Sequence, residues 1–87
     1  MGMKKIYFGL LRGTRVATEK PYLVWKNMDG GEGWAFDAHN DALDCLISKN
    51  GEWKKEGGEP KDSPFAIYCL MDSGGGKEWC SIQHFAD

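Results

Sequence analysis

Three features common in small domains are missing from this 87-residue sequence: paired cysteines, a long apolar run and a secretory signal. Its three cysteines, Cys45, Cys69 and Cys80, are an odd number without a CxxC spacing, which argues against a zinc site. No apolar run approaches the ~20 residues that span a membrane, so we expect no membrane association and a cytoplasmic location. There the thiols are expected to stay free, although Cys69 and Cys80 could form a disulfide if they face each other.

Residues that could perform chemistry are also scarce. The only histidines are His39 and His84, and Cys80 and His84 on one strand would lie about 13 Å apart at ~3.3 Å per residue. That distance is too long for the hydrogen bond that activates a nucleophile. The glycine pair Gly30-Gly31 is followed by no helix and by no Lys or Ser at P-loop spacing. We therefore predict no catalytic residue, no metal and no cofactor, and a protein that is not an enzyme.

The last quarter of the chain carries the strongest structural pattern, a β-hairpin. Two apolar runs flank Gly74-Gly75, and glycines at a turn centre supply the positive φ of type I′ and II′ turns. This centre places Asp72 opposite Lys77, an opposite-charge pair beside the turn. The pairs further out are Leu70–Trp79, Cys69–Cys80, Tyr68–Ser81 and Ile67–Ile82. Residues 65–71 show no alternation, which predicts a strand inside the sheet.

The first half of the chain predicts three more strands. Residues 4–12 and residues 22–28 are apolar runs bounded by turn residues, and the polar segment 13–20 between them predicts a loop. The pair Gly30-Gly31 predicts a two-residue turn that places Trp25 opposite Phe36, on one face with Leu23. Residues 33–36 then form a short third strand.

One helix is predicted, over residues 37–50. Asp37 is a suitable N-cap and Asn50-Gly51 a suitable stop, with apolar residues recurring at helical spacing between them. The charged, glycine-rich segment 51–63 predicts a long loop. Trp53, its one large apolar residue, either covers the core or is an exposed contact residue; core covering is favoured.

Together these elements predict a single α+β domain over residues 3–87, with residues 1–2 a cloning remnant. The predicted order is β-β-β-α-β-β, a mostly antiparallel sheet with one helix packed on one face. The helix is expected to contribute Ala42, Leu43, Cys45, Leu46 and Ile47 to the core. The sheet is expected to contribute Ile6, Phe8, Leu10, Ile67, Cys69 and Ile82.

The opposite sheet face is then predicted to be the one that meets a partner. Tyr and Trp offer a large contact area at low entropy cost and are enriched at binding hot spots. We predict a small, non-enzymatic protein-binding or inhibitory module, of the adaptor, immunity or phage-inhibitor type, that acts as a monomer or homodimer by occupying a partner protein. The predicted partner-binding residues are Tyr7, Tyr22, Tyr68, Leu70 and Trp79, with the acidic helix residues Asp37, Asp41 and Asp44.

An alternative function for the same aromatic face is binding of single-stranded nucleic acid, because aromatic rings on a sheet can stack unpaired bases. The net charge of −2 and the lack of an RNP-like string argue against it. The protein-binding prediction is therefore favoured.

Overall fold

The protein folds as one six-stranded sheet and one long helix, in a computed structural model that describes residues 5–28 and 30–84. The elements are β1 (Tyr7–Leu11), β2 (Thr14–Thr18), β3 (Tyr22–Lys26), β4 (Glu32–Phe36), α1 (His39–Lys55), a 3₁₀ turn (Pro60–Asp62), β5 (Phe65–Ser73) and β6 (Gly76–Gln83). The predicted cloning remnant, residues 1–2, lies outside the described residues. Within the described part, no helix has the length and apolar character needed to cross a membrane.

The sheet is mixed rather than purely antiparallel. Its strand order is β2-β1-β6-β5-β3-β4. Neighbouring strands are antiparallel except β1 and β6, which run parallel. The α+β class is as predicted, but the order along the chain is β-β-β-β-α-β-β, with one strand more than expected. The central position predicted for residues 65–71 is confirmed, because β5 lies between β6 and β3.

The additional strand is β2, in the segment predicted to be a loop. Arg12 and Gly13 have φ values of 49° and 85°, as the two central residues of a type I′ turn require. The turn joins Leu11 to its cross-strand partner Thr14, so β2 folds straight back on β1. Its sequence, TRVAT, contains the β-branched residues that strands favour.

The C-terminal hairpin has the predicted register over most of its length. Asp72 faces Lys77, with the Lys77 Nζ 2.6 Å from the Asp72 Oδ1. The observed pairs further out include Leu70–Trp79, Cys69–Cys80 and Tyr68–Ser81, as predicted. A β-bulge then shifts the register by one residue, so that Ile67 faces Gln83 rather than the predicted Ile82.

The β3–β4 hairpin departs from its predicted register by three residues. Trp25 faces Gly33, not Phe36, and the ladder closes at Lys26 and Glu32 around a five-residue loop. The reason lies at Asn27, whose backbone N–H donates to the Pro64 carbonyl at 2.8 Å instead of to β4. Trp25 consequently lies on the opposite sheet face from Phe36.

The helix starts later and ends later than predicted. Its N-cap is Ala38 without a side-chain hydrogen bond, so the predicted capping role of Asp37 is wrong. Asn50 is buried, and its side chain bonds to Ser63 and His84, so it anchors the helix in its interior rather than ending it. The helix ends instead at Lys55, with Glu56 as its C-cap, and the following Gly57 N–H donates to the Lys54 carbonyl.

The sheet buries apolar side chains on both faces. On the helix-side face, Val24, Phe65 and Ile67 pack under Ala42 and Leu46 of α1, and Trp53 is half-buried against this cluster, in line with the favoured core-covering role. On the other face, which we call the far face, the structure places no helix among residues 5–28 and 30–84. The far face nevertheless buries a second cluster consisting of Leu11, Leu23, Ala66, Tyr68 and Trp79.

Side chains of the far face pack across the strands of the sheet. The Trp79 indole Nε1 donates to the Val16 carbonyl at 3.1 Å, from β6 to β2 across the intervening β1. Gly9 is one of the β1 residues on that face, and a Cβ added to it would lie 2.6 Å from the Leu70 side chain and 2.8 Å from the Lys77 carbonyl oxygen. The missing side chain at Gly9 therefore makes room for the Leu70 side chain.

Candidate functional site

The helix-side face is only half covered. α1 packs against β5, β3 and β4, whereas no helix of the described residues packs over β6, β1 and β2. A helix about 10 Å in diameter covers only two or three strands spaced ~4.8 Å apart, so one helix cannot cover six. We call the helix-side face of β6, β1 and β2 the bare half.

Exposed apolar side chains concentrate on and around the bare half. In the described part of the chain, seven large apolar residues are exposed, and all but Met28 belong to this region. We call these six the apolar patch: Ile6, Phe8, Leu10, Ile47, Met71 and Ile82. Their exposed fractions range from 41% to 54%.

The patch corrects the predicted core. The sequence predicts that Ile6, Phe8, Leu10 and Ile82 of the sheet and Ile47 of the helix are core residues, but all five are exposed. β1 and β6 do present Phe8, Leu10 and Ile82 on the helix-side face, as their alternation predicts. The error concerns coverage, because the helix does not reach over β6 and β1. The signal in the sequence that could have identified the bare half is that it contains one helix and more strands than one helix can cover.

Cross-strand register fixes the arrangement of the patch. Leu10 is paired with Arg15 on one side and with Glu78 on the other, and Glu78 is in turn paired with Met71. Paired residues point to the same face of a sheet. One row across the bare half therefore reads Glu78, Leu10, Arg15, an apolar residue between two exposed charges of opposite sign.

The helix flank beside the bare half is apolar. Lys49 lies over the Trp34 ring at 4.3 Å, so that flank of α1 faces β4. On the opposite flank, Asn50 Nδ2 donates to the His84 carbonyl, just beyond β6. Leu43 and Ile47 precede Asn50 by seven and three residues and share its flank at helical spacing. Ile47 thus borders the bare half and extends the patch onto the helix.

Two thiols adjoin the patch. Cys69 and Cys80 are cross-strand partners, half-buried, and both are free, as is Cys45. Burial raises the pKa of the Cys69 thiol, and the neighbouring Cys80 raises it further. Burial also raises the pKa of the Cys45 thiol, with Lys49 acting in the opposite direction. These shifts favour the protonated thiols over the nucleophilic thiolates.

The aromatic residues predicted to bind a partner are not brought together as an exposed surface. Tyr68 and Trp79 are each only 4% exposed, so their predicted exposure is wrong. Tyr7 and Leu70 are half-buried against the same far-face cluster. Tyr22 lies on the helix-side face, where its ring meets the His39 ring edge-on at 5.8 Å.

The acidic residues predicted to bind a partner are exposed, and two of the three lie away from the patch. The Asp37 carboxylate lies 3.9 Å from the Lys20 ammonium. At 100° per residue, Asp41 points to the β4 side of α1. Asp44 precedes Ile47 by three residues, so it lies on the solvent side of the flank that carries Ile47.

A polar cluster occupies the space where α1, β5 and the end of β6 meet. The Ser63 hydroxyl donates to the Asn50 side-chain oxygen and accepts from the Phe65 N–H. The His84 Nε2 lies 2.6 Å from the Ser63 carbonyl oxygen. The Ser63 hydroxyl is thus bonded to an amide rather than to the imidazole, so the pair lacks the arrangement of a nucleophile and its base. Among the described residues, no group of three or more His, Cys, Asp or Glu is placed to hold a metal ion.

Comparisons of this chain with protein-family models, with curated proteins and with solved structures find no match.

Proposed function

We propose that this chain is a small, non-enzymatic protein-binding module and that its binding surface is the apolar patch on the bare half. The observation that carries the proposal is the gathering of six of the seven exposed large apolar residues of the described chain around one uncovered region. Single exposed apolar residues are ordinary, but a concentration of them on one region of the surface is typical of a docking surface.

The size of the patch supports this proposal. Full burial of one side chain such as Phe or Leu contributes roughly 1.5–3 kcal/mol, and the patch side chains are already about half buried. Covering six of them would therefore contribute on the order of 5–8 kcal/mol by the same measure. That gain is similar in size to the lower estimates of the entropy lost on association. The patch thus suits a reversible partner.

The alternative of single-stranded nucleic-acid binding has less support. It needs exposed rings, but Tyr68 and Trp79 are buried and Phe8 is the one aromatic residue of the patch. A catalytic role has less support as well, because the Ser63 hydroxyl and the His84 ring both make structural hydrogen bonds.

Site-specific photo-crosslinking in host cells tests the proposal. A photoreactive phenylalanine analogue replaces Phe8 in the patch or, as a control, Lys55 in the last turn of α1, which is exposed. We expect protein adducts from position 8, fewer from position 55, and loss of the position-8 adducts when Leu10→Asp is added. Equal labelling from the two positions, or no adduct from position 8, would rule out the patch as a binding surface.

A further inference from the structure

The charges on the bare half form a self-complementary pattern. Glu78, Leu10 and Arg15 lie in one row on adjacent strands β6, β1 and β2. At ~4.8 Å between strands, the two charged residues flank Leu10 at nearly equal distances. Both are exposed, and among the described residues neither is seen in an ion pair. The row therefore presents a negative charge, an apolar centre and a positive charge to whatever covers it.

We propose that the occupant of the bare half is a second copy of this chain, an inference that rests on the proposed function and names the partner of the same surface. In a face-to-face pair, a two-fold axis that runs parallel to β1, above Leu10 and midway between the two sheets, exchanges the two sides of the row. Glu78 of each copy then faces Arg15 of the other, and Leu10 faces its own equivalent. An isologous interface requires such a self-complementary surface.

The half-covered shape of the sheet accommodates this pair. Two sheets pack about 10 Å apart, which is also about the height that a helix of that diameter occupies on a sheet. Under the two-fold operation, the β2 edge strand of the second copy lies over β6, beside the flank of α1 that carries Leu43 and Ile47. The helix and the second sheet then share one layer without overlapping. The pairing also brings β2, an edge strand of the sheet, next to the helix of the other copy.

The pair is expected to be weak. Three strands of five residues present roughly 15 by 17 Å on each copy, or about 500 Å² for the two copies together, which is less than stable specific interfaces bury. An interface of this size is expected to hold only a weak dimer that forms at high protein concentration. Sedimentation equilibrium of the full chain over about 5–500 µM measures this self-association.

Charge exchange tests the proposal. Arg15→Glu places two acidic residues opposite each other at both ends of the row, and Glu78→Arg places two arginines there. Each single variant is expected to weaken self-association at least about tenfold, since like charges facing across an interface are costly. An equimolar mixture of the two variants restores both opposite-charge pairs and is expected to recover a dimer within a few-fold of the wild-type Kd.

The mixture separates contacts between chains from effects within one chain, and circular dichroism of each variant checks that it is folded. A wild-type chain that stays monomeric at 500 µM overturns the inference, and so does a dimer that the single variants do not weaken or the mixture does not restore. A monomeric chain that forms position-8 adducts with a different protein would overturn this inference while the proposed function stands. The absence of any position-8 adduct would overturn the proposed function itself.

Discussion

The indole N–H of Trp79 on β6 donates to the backbone carbonyl of Val16 on β2, two strands away, at 3.1 Å. This bond crosses β1 and connects β6 directly to β2. It makes Trp79, although it lies on a sheet face without a helix, part of the core.

Trp79→Ala is therefore expected to destabilise the protein by about 3–5 kcal/mol, as for other large buried residues. Phe8→Ala, on the same sheet but on the bare half, is expected to cost less than about 1 kcal/mol, because its ring is 54% exposed. Urea denaturation of the two variants at a concentration where the chain is monomeric measures the difference. Equal losses at the two positions would contradict the assignment of the faces.

The length of α1 determines whether an alanine at Gly51 raises or lowers the free energy of unfolding. Gly51 lies in the helix interior without a positive φ, and nothing lies within 4 Å of an added Cβ. Gly51→Ala is expected to stabilise the protein by about 0.5–1 kcal/mol, since alanine restricts the unfolded chain and favours the helix.

The matched control is Gly57→Ala at the observed helix end, where φ is 93° and where alanine is expected to destabilise by about 1 kcal/mol. If the helix ended at Asn50-Gly51, as its sequence predicts, Gly51→Ala would instead destabilise the protein. Thermal or urea denaturation of the two variants decides between these helix lengths.

Local sequence signals predicted much of this fold. The Gly74-Gly75 turn and the charges of Asp72 and Lys77 fix the register of the last hairpin, because both act between neighbours in the chain. The inside position of β5 followed from its unbroken apolar run. These features depend on interactions between residues that are close together in the sequence, so a single sequence is enough to predict them.

What the sequence could not predict depends on contacts between distant segments. Asn50 resembles a helix stop, but Ser63 and His84 bond to its side chain within the helix. Asn27 resembles a strand residue facing β4, but its N–H is bonded to Pro64. The candidate surface was missed for the same reason: the alternation shows which residues share a face, but not how far α1 extends over it.

The Asn50 bonds give a further prediction. Asn50→Ala leaves the buried Ser63 hydroxyl without its acceptor and the His84 carbonyl without this donor, so we expect a loss of about 2–3 kcal/mol. Ser48→Ala, at an exposed position of the same helix, is expected to change the unfolding free energy by less than about 0.5 kcal/mol. A loss of similar size in the two variants would show that Asn50 acts only through helix propensity.

The Cys69 thiol gives a pH dependence. Its pKa in the folded chain is raised by burial and by Cys80, so folding favours the protonated form. The stability that this group contributes is present below the pKa of the unfolded chain, about 8.5 for a free thiol, and is lost as pH rises through the folded pKa.

Peptide-resolved alkylation by iodoacetamide between pH 7 and pH 10.5 measures this shift. The reaction midpoint of Cys69 is expected at a higher pH in the folded protein than in the same protein unfolded in urea. Coincident midpoints would show that folding does not raise the pKa of the Cys69 thiol.

The central claim is that α1 leaves the β6-β1-β2 half of its own sheet face open to a partner. Carbene footprinting of the purified chain in dilute solution tests this claim most directly, with labelling quantified at Phe8 and Ile82 of the patch and at Ile67 under the helix. We expect strong labelling at the two patch residues, weak labelling at Ile67, and protection of Phe8 as the protein concentration rises through the dimer Kd. If Phe8 and Ile82 were labelled as weakly as Ile67 in dilute solution, the bare half would be covered within one chain and the claim would be wrong.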